Sequence, residues 1–272
     1  MAAEVADGRW RSGRRWARQH RVGAGLGALV ALVALVAVAL VAVLVASSGR
    51  STAGAGAARP ARSAPPATAV GSAGDSTLVA TLHADVTGSA TPGGPPTSVV
   101  PGSWFGAPSA LPVLAQEDGF LDVRLAQRPN GSTIWIPAAD ATLSVTPYRI
   151  VVDLATEHLV LYDAGSVVLD APAGIGTAAD PTPTGNFFVA LVAAAPTPAY
   201  GPFVIVTSGH SSAITDWEQS GDAIVAIHGP LGADAAIGTT GAAVSHGCVR
   251  LHDADLAQLK VVPAGSPVTI IG

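Results

Sequence analysis

From Thr77 to Gly272 the apolar residues come in short runs, each broken by Gly, Pro, Asn or Asp. A run of about five residues fills a strand, whereas a helix needs ten or more residues at a period near 3.6. The 31 glycines and 21 prolines of the 272-residue chain supply the punctuation. Only Asp253–Val261, with Leu256 and Leu259 three apart, reads as helical. The fold class predicted is therefore mostly β.

Two regions separate within this stretch. Residues 77–143 read as a small barrel or sandwich, with strands at Leu78–Leu82, Leu111–Leu114, Phe120–Leu125 and Thr133–Ile136. Asn130-Gly131 between the last two is a strong hairpin signal. Phe120, Val123 and Leu125 do not alternate cleanly, which predicts a bulge. Residues 144–272 form a second β-rich domain, large enough for its own core. Its strands are expected at Arg149–Leu154, His158–Tyr162, Asn186–Val192, Phe203–Val206, Ala223–Ile227 and Pro267–Ile271.

The N-terminal end assigns the compartment. Residues 22–49 contain no charge, and 22–46 as a helix would span roughly 37 Å against a hydrocarbon thickness of about 30 Å. Residues 1–21 hold six arginines against Glu4 and Asp7, a net +4, while the remainder of the chain carries −9. Positive charge on the short N-terminal side predicts a single-pass protein of the cell membrane with its N-terminus inside. A cleaved signal peptide is the rival reading, and both export the same domain. Residues 47–76, rich in Ala, Gly, Ser, Pro and Thr, cannot bury enough apolar surface to order themselves and read as a linker. The exported part is acidic without a basic cluster, which argues against nucleic acid as a partner.

Within that exported part the chain has one cysteine, Cys248, in the run Ser245-His246-Gly247-Cys248-Val249-Arg250-Leu251. A lone cysteine excludes an intramolecular disulfide framework. A second histidine, His228, closes the Ala223–Ile227 strand and is followed by Gly229. Thiolates are the nucleophilic form of cysteine, and an imidazole within hydrogen-bond reach is the usual way to generate one. His228 and Cys248 thus suggest covalent acyl transfer. Gly229 lets the chain turn so that a carbonyl can orient the imidazole, and Gly247 can present the thiol while leaving peptide N–H groups for an oxyanion. His246 reads either as structural or as an oxyanion or substrate contact. Arg250 reads as an ion pair with Asp255 or another acid, or as a charge favouring the thiolate. Zinc would accept the same His and Cys ligands, but no paired-cysteine or His-x-x-x-His spacing exists, and no metal or cofactor is called for. His20, His83, His158, His210 and His252 read as surface or turn residues.

The His228-Gly229 step, the sixteen-residue gap, the Ser245–Leu251 run and Asp255 resemble the signature of the L,D-transpeptidase (YkuD-type) catalytic domain. Gly174-Ile175-Gly176, Thr182–Phe187 and Ala199–Phe203 add to the likeness, which covers about 144–272. Residues 77–143 resemble the small SH3-like module that precedes this domain in some actinobacterial relatives. The resemblance implies a peptidoglycan L,D-transpeptidase, a cysteine acyltransferase with possible L,D-carboxypeptidase activity. Cys248 would be the nucleophile and His228 the base, with His246, Gly247, Gly229, Ser245 and Arg250 supporting the oxyanion region. Tyr200 and Trp217 are candidate cleft walls. The implied partners are stem peptides (a tetrapeptide donor and a diamino-acid acceptor) and carbapenem-type inhibitors. His252-Asp253 stands where relatives often carry a small residue and Asn.

Overall fold

The computed structural model describes residues 68–69, 75–239 and 241–272. The basic tail, the apolar segment and most of the linker lie outside the described residues. Among the described residues, no helix is long and apolar enough to cross a membrane.

The first half builds one antiparallel sheet. Its strands are β1 (Thr68–Ala69), β2 (Thr77–Leu82), β3 (Val86–Ser89), β4 (Pro96–Val100), β7 (Ala110–Glu117), β8 (Phe120–Arg124), β9 (Thr133–Pro137) and β10 (Ala141–Thr146). A small ribbon of β5 (Ser103–Trp104) and β6 (Ala107–Pro108) lies between β4 and β7 in the chain. The order is β10-β2-β7-β8-β9-β3-β4, with β1 added on β7. Asp118 and Gly119, both at positive φ, turn β7 into β8, the geometry that an Asp-Gly pair favours. Leu121, Val123 and Leu125 alternate into the core, so Phe120 is simply on the other face. The bulge in this pair falls on β7, between Val113 and Ala115.

Asn130-Gly131 forms the expected turn, Ser132 N–H donating to Pro129 O at 3.2 Å with Gly131 at φ 83, inside a hairpin loop longer than two residues. β8 and β9 pair from Arg124↔Thr133, which leaves a loop over 125–132, and Asn130 spends its side chain elsewhere, as described below. The boundary expected at 143/144 also moves. β10 continues in register to Thr146↔Thr77, and the next sheet starts after Pro147, whose missing N–H suits a break between ladders.

The second half is an eight-stranded mixed sheet. It comprises β11 (Tyr148–Asp153), β12 (His158–Asp163), β13 (Ser166–Pro172), β15 (Gly185–Ala193), β16 (Val204–His210), β17 (Ile224–His228), β19 (Val249–Arg250) and β20 (Pro267–Ile271). The order is β13-β12-β11-β20-β15-β16-β17-β19. A short parallel pair, β14 (Ile175–Gly176) with β18 (Ala243–Ser245), completes it. The helix α1 (Asp253–Gln258) is shorter than expected, because Leu259–Val261 tightens into a 3-10 turn. Leu256 and Leu259 are nonetheless fully buried.

β15 serves both halves. Phe187 and Val189 point into the core of the second sheet, while Phe188 and Ala190 join the apolar cluster of the first. Side chains alternate across a strand, so one strand can seal two cores. Around it Thr146 and Ser266 share a buried hydroxyl hydrogen bond of 2.9 Å, and Arg124 Nη1 donates to Asn186 O at 3.0 Å. The described residues up to Trp217 and those from Asp222 to Gly272 accordingly belong to one compact unit.

Candidate active site

The parallel pairing of β17 with β19 assembles the site. Ile227 pairs with Val249 and His228 with Arg250. Ile227 and Val249 are buried in the core. Alternation therefore sends Ala226, His228, Cys248 and Arg250 to the opposite face. Cys248 precedes Val249 and falls beside Ala226, diagonal to His228. With strands about 4.8 Å apart and a rise of about 3.3 Å per residue, the two Cα atoms are about 8 Å apart. The two side chains leave the same face of the strand pair from these neighbouring positions. Leu251 N–H continues the ladder onto His228 O at 2.9 Å.

His228 is 3 % exposed, and its Nδ1–H donates to Gly229 O at 2.7 Å. A carbonyl can only accept, so this bond fixes the tautomer and leaves Nε2 as a base. Gly229 is required by space: a Cβ there would lie 2.6 Å from Asp253 Oδ1 and 2.7 Å from Gly201 N. Gly229 N–H in turn donates to Tyr200 O at 2.8 Å.

Burial lowers His228 to about 4, with the Gly229 bond opposing and Arg250 adding to the effect. Burial also pushes the Cys248 thiol up, against a backbone hydrogen bond from Ala226 and the nearby Arg250 charge. Both shifts favour a neutral thiol and a neutral imidazole at rest, which suits His228 as a base. Desolvation disfavours both charged forms, so ionisation has to accompany attack.

The turn before Cys248 is held by its own residues. Ser245 Oγ donates to Cys248 O at 2.6 Å and accepts Gly247 N–H at 3.1 Å. Gly247 sits at φ 109, where a side chain would be strained. Its N–H is thus engaged by Ser245 Oγ. The N–H groups of His246 and Cys248 have no acceptor assigned among the described residues. Gly174 and Arg250 exchange two peptide hydrogen bonds of 2.8 Å, and Thr177 N–H donates to Ser245 O at 3.0 Å. At Gly176, whose N–H bonds Thr182 Oγ1 at 2.8 Å, a Cβ would strike the Asp180 carbonyl.

Arg250 forms no ion pair with Asp255 or another acid among the described residues. Its Nη1 reaches Pro230 O at 3.4 Å, its Nε is buried without a partner, and its charge acts on Cys248 and His228. His246 is an exposed rim residue, 61 % open, with Nε2 3.8 Å from Asp180 Oδ2. Trp217, 42 % exposed, lies over it with ring centroids 5.0 Å apart. Tyr200 lies against His228 at 4.8 Å. Both candidate cleft aromatics thus stand at the site.

Two features escaped the sequence reading. Asp180 had no local signal. His210, read as a surface or turn residue, is buried, with Nδ1 2.8 Å from Asp222 Oδ2. His158 and His252 do sit at the surface, each 2.7 Å from an aspartate, Asp170 and Asp234.

The model of the YkuD family, the L,D-transpeptidase catalytic domain, matches residues 147–270. The curated YkuD protein of Bacillus licheniformis is 32% identical over 141 residues, 52% of this chain and 74% of that one. Its Bacillus subtilis counterpart is 28% identical over 141 residues, 52% and 75% of the two chains. Among solved structures, an L,D-transpeptidase from Mycobacterium smegmatis is 16% identical with a TM-score of 0.36, covering 60% of this chain and 90% of that one. An L,D-transpeptidase solved with imipenem gives 16%, a TM-score of 0.37 and the same coverage. On the family match and the Bacillus licheniformis relative, this chain belongs to the YkuD family of L,D-transpeptidase catalytic domains.

Proposed function

We propose that this protein joins peptidoglycan stem peptides by 3→3 cross-links through a Cys248 thioester, with His228 as general base. The observation that supports the reading is the parallel pairing of β17 with β19, which puts His228, locked by Gly229, and the residue preceding Val249 on one face. As Cys248 Sγ attacks the carbonyl carbon of the third residue of a tetrapeptide donor, His228 Nε2 takes the thiol proton. The tetrahedral oxyanion is held by peptide N–H groups, for which those of His246 and Cys248 are placed in the turn. Collapse breaks the amide, and His228 returns the proton to the departing D-alanine nitrogen. The side-chain amine of a neighbouring diamino acid then attacks the thioester and loses a proton to His228. Cys248 leaves and is reprotonated. Water in place of the amine gives L,D-carboxypeptidase activity instead. Arg250, facing both groups, favours negative charge on sulfur and oxygen during these steps.

In this reading the +4 tail and the uncharged segment hold the catalytic domain outside the cytoplasmic membrane, with 47–76 as a tether and 77–146 as a module ahead of the catalytic sheet. The solved relative with imipenem supports carbapenems as inhibitors. The test is muropeptide analysis of the detergent-solubilised full chain incubated with disaccharide-tetrapeptide. Wild type should yield 3→3 dimers and free D-alanine, and Cys248→Ala should yield neither while keeping its circular dichroism spectrum. Dimers from the Cys248→Ala protein would overturn the mechanism, and tripeptide monomers alone would assign trimming instead of cross-linking.

A further inference from the structure

The loop between β8 and β9 reaches from the first sheet to the edge of the active site. Arg128 spreads its guanidinium over one segment of the catalytic domain. Its Nη1 donates to Ser211 O at 2.8 Å, its Nη2 to Ile214 O at 3.0 Å, and its Nε to Asp222 Oδ1 at 2.8 Å. Asn130 grips the residue before that segment from both sides, accepting His210 N–H at 2.9 Å and donating to His210 O at 2.8 Å. Asp222 O accepts Trp217 N–H at 2.9 Å, and Asp222 Oδ2 faces His210 Nδ1. Trp217, at the end of the segment, carries its indole onto His246, two residues from the nucleophile.

These bonds tie the start of the 211–217 segment and the residue that receives its end to a single side chain. A planar fork with several donors can hold several acceptors in fixed relative positions, which a lysine point charge cannot. Burial would raise Asp222, but His210 and Arg128 bring it down to about 2, so the carboxylate keeps its charge across the working pH range.

We propose that Arg128 is a positioning residue. From the N-terminal sheet it braces the 211–217 segment so that Trp217 forms a wall of the donor-peptide cleft beside His246 and Cys248. The preceding module is then part of the substrate site and not merely a spacer. This inference rests on the acyl-transfer reading of Cys248.

The test compares full-length wild type, Arg128→Ala, Trp217→Ala and the double variant. Arg128→Ala should raise KM for the tetrapeptide donor about tenfold, the loss of one aromatic contact, with kcat within about twofold. Trp217→Ala should match it, and the double variant should be no worse than Trp217→Ala, because both remove one contact. Amide exchange should accelerate over 211–217 in Arg128→Ala and stay unchanged over 224–228. An unchanged KM, additive effects in the double variant, or unchanged exchange over 211–217 would each overturn the proposal. Should Arg128→Ala fail to fold, Arg128→Lys, which keeps the charge but loses the fork, is read by the same measurements. A wild type that turns over no stem peptide would refute the acyl-transfer reading, and the exchange comparison would still decide the brace.

Discussion

Lowering the pH should leave acylation of Cys248 almost intact until about pH 5, with the half-maximal rate near pH 4. An exposed histidine near 6.5 would be about 3% neutral at pH 5, whereas His228 at about 4 is about 90% neutral. The two cases differ by roughly thirtyfold in the available base at that pH. The alkaline limb lies above the ordinary thiol range of about 8.5, because burial pushes Cys248 up. A broad plateau follows, from about pH 5 to about pH 8. The same shift has a stability consequence. The unfolded chain takes up a proton below about 6.5, but the folded one takes it up only below about 4. Stability from the neutral imidazole is thus fully present above 6.5 and is lost as pH falls towards 4, about 3 kcal/mol in all. The assay is the second-order rate of Cys248 acylation by a carbapenem between pH 3.5 and 9, with circular dichroism at each pH to separate unfolding from protonation. Arg250→Met should move both limbs upward, since Arg250 lowers both groups. A half-maximal rate near pH 6.5 in folded wild type would refute the neutral-pair description.

Two further outcomes are expected from the same site. A carbapenem should add its full mass to wild type and nothing to Cys248→Ala in intact-mass spectrometry; labelling of the variant would place the reactive group elsewhere. Gly229→Ala should lower stability by about 1–3 kcal/mol, because the new methyl meets Asp253 Oδ1 and Gly201 N. The acylation rate should fall with it as the carbonyl that orients His228 shifts, and an unchanged Tm and rate would remove that constraint.

Local chemistry made the candidate pair legible. Cys248 and His228 stand in short runs where an apolar strand, a glycine and a turn are all readable, and the His228–Gly229 bond spans neighbouring residues. Gly247 was legible as a conformational requirement but not as a donor already spent on Ser245 Oγ. His210 was misread because burial depends on what packs over a residue, and the side chain that holds its backbone is that of Asn130, 80 residues away in the chain. Asn130-Gly131 was legible as a turn, with Ser132 N–H on Pro129 O and Gly131 at positive φ. The hydrogen bonds of the Asn130 side chain to His210 lie outside any local window.

Residue order by itself determined the mostly β architecture, the strand end that carries His228, the turn before Cys248, and membership of the family, because each depends on spacing within a few residues. Tertiary structure alone decided that Arg250 faces the reacting pair, that both groups rest uncharged, and that β15 seals two cores at once. It also decided that a side chain from the first sheet reaches the segment bearing Trp217. Those outcomes depend on which distant surfaces exclude water from one another, and desolvation and long-range hydrogen bonds are properties of the packed chain.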